Sequence, residues 1–313
     1  MPVATASLCP ATVLDCDLYI QRSACAYAEL YRGATYPLTT EDIERLRADG
    51  IDHLYIRAEA AEAYRSYLCE HVLEDKNVPT TARLDALREV TRVAFQEALA
   101  ANDCDAMVSV AEEFGHALAH LATERPVAFG ELYKTLKHDY YTFTHVCNVS
   151  AYATILASLL GHFNKTTLSE LAAGALLHDI GKRQIPQHIL NKPGKLSDEE
   201  WEQVREHPGS GFRELAARHD VTWAQLMMVY QHHERLDGSG YPAGITGGEI
   251  HAWAKICTVA DVFDALTCHR PYRRPVPVKE VCDYLKKHAG QWFDAELVAR
   301  WCEHILGAPP AAS

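Results

Sequence analysis

No two of the ten cysteines are separated by just two residues, so the chain carries no CxxC pair of the kind that builds a zinc ribbon or a redox motif. Their scatter from Cys9 to Cys302 also lacks the regular spacing of a disulfide framework. They read as reduced, mostly buried thiols. No run approaches the ~18 apolar residues of a membrane span, and no basic segment leads into an apolar one near the start. A cytoplasmic protein without a membrane partner is the expectation. Positive charge is scarce as well: 30 Lys and Arg against 42 Asp and Glu give a formal net charge of -12. A polyanion such as duplex DNA needs a broad basic field to displace its counterions, which excludes a nucleic-acid polymer as partner. A small anion held by a few local cations remains compatible. No internal repeat and no low-complexity tract is present, apart from a terminal "GAPPAAS" that reads as a frayed tail.

What is present divides by pattern. Residues 1 to 75 alternate short apolar runs with turn residues ("TVLDCDLYI", "IDHLYIRA") around one helical segment near Glu41 to Asp49, which predicts a small α+β accessory module. Residues 76 to 130 switch to helical periodicity and read as connecting helices. Residues 131 to 306 read as a helical bundle, interrupted by the Gly/Pro-rich "DGSGYPAGITGGE". The fold class expected is mainly α, with the small α+β module first.

Seventeen histidines are many for 313 residues, though a lone histidine is usually a surface or hydrogen-bonded residue. Context singles out a few. In "LSELAAGALLHDIGK", Leu171, Gly174, Ala175 and His178 share one helical face, so His178 points inward, and a buried His-Asp pair needs partners. Asp179 as a mere cap is the plainer alternative. In "SDEEWEQVREHP", Ser197 and Glu200 stand at capping-box spacing, and Trp201, Val204 and His207 share a face, which places His207 inward in a last helical turn before Pro208. His232 and His233 end "AQLMMVYQ", where a plain reading is a cation at a helix C-terminus. In "AWAKICTVADVFDAL" the stripe Ile256, Val259, Phe263, Leu266 is core, while Asp261 lies on a small-residue stripe pointing into the bundle, where an unpaired carboxylate is costly. His145 begins a further helix. Inward imidazoles and carboxylates from successive helices are a known way to build a two-metal site, and this donor mixture suits iron, manganese, nickel or zinc.

"HDIGK" followed by "HHERLDGSGYP" resembles the HD-GYP subgroup of the HD-domain phosphohydrolases, and the similarity runs through "ILNKPGKLSDEEWEQVREHP" and "VADVFDALTCHRPYR", covering about Tyr140 to Arg274. The resemblance implies a helical domain that hydrolyses cyclic di-GMP to linear pGpG and, in some members, on to GMP. It implies His145, His178, Asp179, His207, His232, His233 and Asp261 as metal ligands, with Asp179 bridging and catalytic. Lys182 would contact the scissile phosphate, and Arg270 and Arg273 would bind the guanine and phosphate parts of the ligand, solvation being their plainer reading. Gly238, Gly240, Tyr241 and Pro242 form the signature loop, with Tyr241 either touching substrate or anchoring the packing.

The expected chemistry is in-line attack by a metal-bridging hydroxide, with two divalent ions per chain, iron or manganese before nickel or zinc. Family members thought to hold a third metal carry a glutamate one turn before the first histidine, where this chain has Tyr141. Two metals and slow conversion of pGpG to GMP are therefore expected. The alternatives kept are a non-catalytic cyclic di-GMP receptor and a hydrolase of cyclic GMP-AMP, with a homodimer or a signalling protein as further partner left open.

Overall fold

The computed structural model describes residues 2–21, 27–51, 53–73, 75–76, 78–124, 142–192, 194–268 and 274–307. The chain divides into two compact units, residues 1–102 and 103–313. The division falls between the two long helices that the sequence pattern groups as one connecting segment at 76–130.

In the first unit, β1 (Pro2–Ala4), β2 (Leu18–Ile20), β3 (Glu29–Arg32) and β4 (His53–Tyr55) form an antiparallel sheet in the order β1-β4-β2-β3. Leu18 and Ile20 are buried with Tyr19 between them on the other face, the period of two that a half-buried strand demands. Helix α1 (Thr40–Ala48) starts where Thr39 and Asp42 form a reciprocal capping box, and it turns Ile43 and Leu46 into the core. Helices α2 (Ala61–Leu68) and α3 (Thr80–Ala100) complete the unit, with Tyr64, Tyr67 and Leu68 packed against Leu18, Leu38 and Leu54. The expected α+β module is present.

The second unit is helical: α4 (Cys104–Glu124), α5 (Thr142–Leu159), α6 (Lys165–Leu177), a 3-10 turn (Ile180–Gln184), α7 (Gln187–Leu190), α8 (Asp198–Arg205), α9 (His207–Leu215), α10 (Trp223–Gln231), α11 (Ala252–Thr267), α12 (Val278–Lys287) and α13 (Ala295–Leu306). Helix α6 is buried all round from Leu171 to Leu177, as an apolar helix without a polar face must be, and packs on α4, α5 and α10. Helix α5 packs on α11 in turn, and Trp301 of α13 closes the core edge-on to Tyr152 and Phe263. None of the described helices is long and apolar enough to cross a membrane. Of the nine described cysteines, all free, six are buried.

Two local expectations need correction. The Ser197–Glu200 capping box opens α8, but the helix ends at Arg205 and His207 begins α9, with Pro208 in its first turn. Proline lacks the N–H a helix interior needs, so Pro208 starts a helix instead of ending one. Nor is the Trp201 face internal: no residue of α8 is buried, and Trp201 is 51% exposed. His207 is buried because α9 is.

Candidate metal centre

Helix α6 ends at Leu177, and the chain turns at once through His178 and Asp179 into the 3-10 turn. The turn carries both side chains to the end of the bundle where α5, α9, α10 and α11 meet. Among the described residues two groups have ligand atoms close enough to share a cation: Asp179 with His207, His232 and His233, and His145 with His178 and Asp261. These are the seven residues singled out in the sequence.

Backbone carbonyls fix which nitrogen each ring presents. His178 Nδ1–H donates to the Ala175 carbonyl at 2.7 Å, His207 Nδ1–H to Val204 at 2.7 Å, and His232 Nδ1–H to Val229 at 3.0 Å. A carbonyl only accepts, so the hydrogen sits on Nδ1 and each Nε2 lone pair faces inward. Asp179 divides its oxygens between the groups. Oδ1 lies 3.2 Å from His207 Nε2 and 3.7 Å from His232 Nε2, while Oδ2 lies 3.4 Å from His178 Nε2, 3.7 Å from His145 Nε2 and 2.5 Å from Lys182 Nζ. His145 Nε2 is also 3.2 Å from Asp261 Oδ1.

Two observations fit divalent cations to these donors. His178 Nε2 and Asp179 Oδ1 are fully buried and make no hydrogen bond among the described residues, a costly state for such atoms. His207 and His232 also face each other Nε2 to Nε2 at 3.2 Å, so with both hydrogens on Nδ1 two lone pairs oppose until a cation comes between them.

The electrostatics of Asp179, Asp261, His232 and His233 agree. Burial raises the Asp179 carboxyl, but the Lys182 ammonium and His178 outweigh it and hold Asp179 well below the ordinary carboxylate range. Asp261 is likewise held low against burial by the hydrogen bond and charge of His145. Burial and then its neighbouring imidazoles keep His232 neutral, and burial draws His233 down to about 3, so both rings offer lone pairs at neutral pH. His145 is opposed by burial yet pushed up to about 9 by its hydrogen bonds to Asp261 and Asp264.

The Gly/Pro-rich loop borders the centre. Tyr241 stacks on His233, centroids 4.7 Å apart at 28°, and its N–H donates to the His233 carbonyl at 3.2 Å. The Tyr241–Pro242 peptide is cis. Gly238 has φ +79°, the left-handed region that favours glycine, and a Cβ at Gly240 would come within 2.4 Å of the Glu234 and Arg235 backbone. Glu234 ties the loop off, its Oε1 accepting from the N–H groups of Ala243 at 2.7 Å and Gly244 at 3.1 Å.

Residues 116–297 match the model of the HD-domain family. A cyclic di-GMP phosphodiesterase of Pseudomonas aeruginosa is 30% identical over 284 residues, spanning 85% of this chain and 68% of that protein. The chain belongs to the HD-GYP branch of the HD-domain family. A 3'3'-cGAMP-specific phosphodiesterase of Vibrio cholerae is 36% identical, over 51% of this chain and 34% of its own length. The solved structure of Bd1817, a HDG"Y"P protein from Bdellovibrio bacteriovorus, shares the fold with TM-score 0.67 at 18% identity, covering 98% of this chain and 99% of that one. The chain thus spans about two thirds of one of these phosphodiesterases and about a third of the other.

The HD-GYP loop of this chain and its seven candidate ligands lie together, and Lys182 sits beside Asp179. Arg270, Arg273 and Tyr141 lie outside the described residues. Sequence reasoning passed over Asp264, which is fully buried. Its Oδ2 accepts from His145 Nδ1 at 2.7 Å, and its Oδ1 accepts from Asn148 Nδ2 at 2.8 Å and Cys268 Sγ at 3.2 Å. A signal existed, since Asp264 is one helical turn from Asp261 and Asn148 one turn from His145. A carboxylate behind a ligating imidazole fixes its orientation and raises its basicity. Asp264→Asn should therefore lower metal affinity by roughly 10- to 100-fold with the fold retained. Competition with a chelator reads this directly, and an unchanged affinity would remove the role.

Proposed function

We propose that this chain hydrolyses cyclic di-GMP at a centre of two divalent ions held by His145, His178, Asp179, His207, His232, His233 and Asp261. The observation that carries the reading is the Asp179 carboxylate, whose two oxygens face different imidazole pairs at 3.2 to 3.7 Å. The mixed nitrogen and oxygen donors suit iron or manganese first, then nickel or zinc. Bound there, such ions would activate a water at neutral pH and offset phosphoryl charge. The protein's own part is positional. Carbonyl-fixed tautomers hold the imidazoles aimed, Asp264 orients His145, and Lys182 keeps a cation beside Asp179 where a phosphodiester oxygen would develop charge. Arg270, Arg273 and Tyr241 complete the substrate site in this reading. A full donor set argues against a purely receptor role, which has no chemical need of it.

Incubation of anaerobically purified, metal-assayed protein with cyclic di-GMP or 3'3'-cGAMP, with products resolved by chromatography, tests the reading. The cyclic GMP-AMP alternative stays in view because a relative with that specificity is 36% identical over half of this chain. We expect cyclic di-GMP to be opened faster and pGpG to accumulate, GMP appearing late. Tyr141 replaces the acid associated with a third metal, and a phenol of ordinary pKa near ~10 is a poor ligand at neutral pH. Three tightly bound metals with rapid GMP release would overturn the product assignment.

All seven donors lie beyond residue 140, so the first unit has a regulatory part in this reading. A chain truncated to begin at Asp103 should retain the metal content of the full-length protein and cleave cyclic di-GMP. A truncated chain that folds and loads metal but is inert would show that the first unit supplies an essential group.

A further inference from the structure

The seven candidate ligands are not equally enclosed. Side chains of His145, His178, His207 and His232 are at most 4% exposed, whereas His233 is 23% and Lys182 24% exposed, so the centre opens on the side where Tyr241 stands. On that side Tyr241 covers His233 with one face of its ring, and the Arg205 guanidinium carbon lies 4.9 Å from the ring centroid. Arg205 thus meets the same ring that stacks on His233. Among the described residues its other contact is Glu202, 3.6 Å away with side-chain exposures of 42% and 74%, a pair that solvent screens. The neighbouring Arg235 is placed differently, its guanidinium 3.9 Å over the Trp292 ring, and Trp292 in turn stacks on His288.

A guanidinium resting on an aromatic ring keeps its N–H groups in its own plane, directed outward, and that planar fork matches two oxygens of a phosphate. Holding the group on a ring also removes much of the side-chain entropy a free arginine loses on binding. The cyclic dinucleotide proposed as substrate has two phosphodiesters in one ring. Seating one at the cations leaves the other a short distance away, at the open rim, where a local cation can meet it.

We propose that Arg205, held on Tyr241, binds the non-reacting phosphodiester of the cyclic dinucleotide and so acts as a specificity residue. This inference rests on the substrate reading above. A contact made equally in ground and transition states lowers KM and leaves kcat alone.

The test compares Arg205→Met and Arg205→Lys with the unaltered protein on two substrates, cyclic di-GMP and bis(p-nitrophenyl) phosphate, the latter having one phosphodiester and no second. With Arg205→Met, KM for cyclic di-GMP should rise about tenfold or more, with kcat, metal content and turnover of bis(p-nitrophenyl) phosphate little changed. Arg205→Lys, which keeps the charge but not the fork, should fall between. Equal losses on both substrates, or loss of metal, would mean that Arg205 only supports Tyr241, and the inference fails. An unchanged KM for cyclic di-GMP removes it too. Unaltered protein that cleaves bis(p-nitrophenyl) phosphate but no cyclic dinucleotide defeats the substrate reading itself, and the inference with it.

Discussion

On the two-ion reading proposed above, Asp179→Ala should lose its bound metal and cut turnover by roughly 10³-fold or more, while the helical content stays that of the parent. The expectation follows from how the carboxylate is shared. Oδ1 faces His207 and His232, Oδ2 faces His145 and His178, and the side chain is 2% exposed. Alanine removes the one group that serves both sides, and it leaves buried imidazoles with one fewer anion to balance a cation. Asp179→Asn separates charge from shape, because the amide fills the same space yet is a poor anionic bridge. It should bind metal almost as badly as the alanine variant. Elemental analysis after gel filtration, together with turnover of cyclic di-GMP, decides the matter. Metal retained at parental stoichiometry with parental turnover would remove Asp179 from the centre.

A second large effect is expected from a residue with no side chain. A Cβ on Gly181 would lie 2.0 Å from the His207 carbonyl oxygen and 2.6 Å from the Gly211 backbone nitrogen. Both obstacles are backbone of α9, so no rotamer change relieves them. The 3-10 turn after Asp179 and the first turn of α9 can touch this closely only through glycine, and that contact sets Asp179 against His207. Gly181→Ala should cost about 3 kcal/mol, lowering Tm by roughly 6 to 12 °C for a domain of this size. It should also weaken metal binding, because separating the two backbones pulls one candidate ligand from another. Calorimetry with metal titration checks both, and a variant as stable and as metal-rich as the parent would show that the contact relaxes freely.

Helices α6, α10 and α11 were legible from apolar periodicity, and the cap at Ser197 from its spacing to Glu200, because such a cap rests on local side-chain geometry that needs no tertiary partner. The misplacement of His207 has an equally local cause. A break of one residue at Glu206 separates two helices whose sequences run on without a gap, and only the burial of α9 against α10 and the 3-10 turn reveals it. The partnership of His145 with Asp264 spans 119 residues, and that of Ser169 with His116 spans 53. No window of sequence contains either pair.

By itself, then, the sequence determined which donors exist and that a glycine-rich loop follows the His232–His233 pair, because residue chemistry and helical period are local properties. Tertiary structure alone decided which Asp179 oxygen meets which imidazole, that Asp264 stands behind His145, and that Arg205 lies over Tyr241. Each of those contacts depends on how one helix is placed against another, and that placement comes from packing of the whole core.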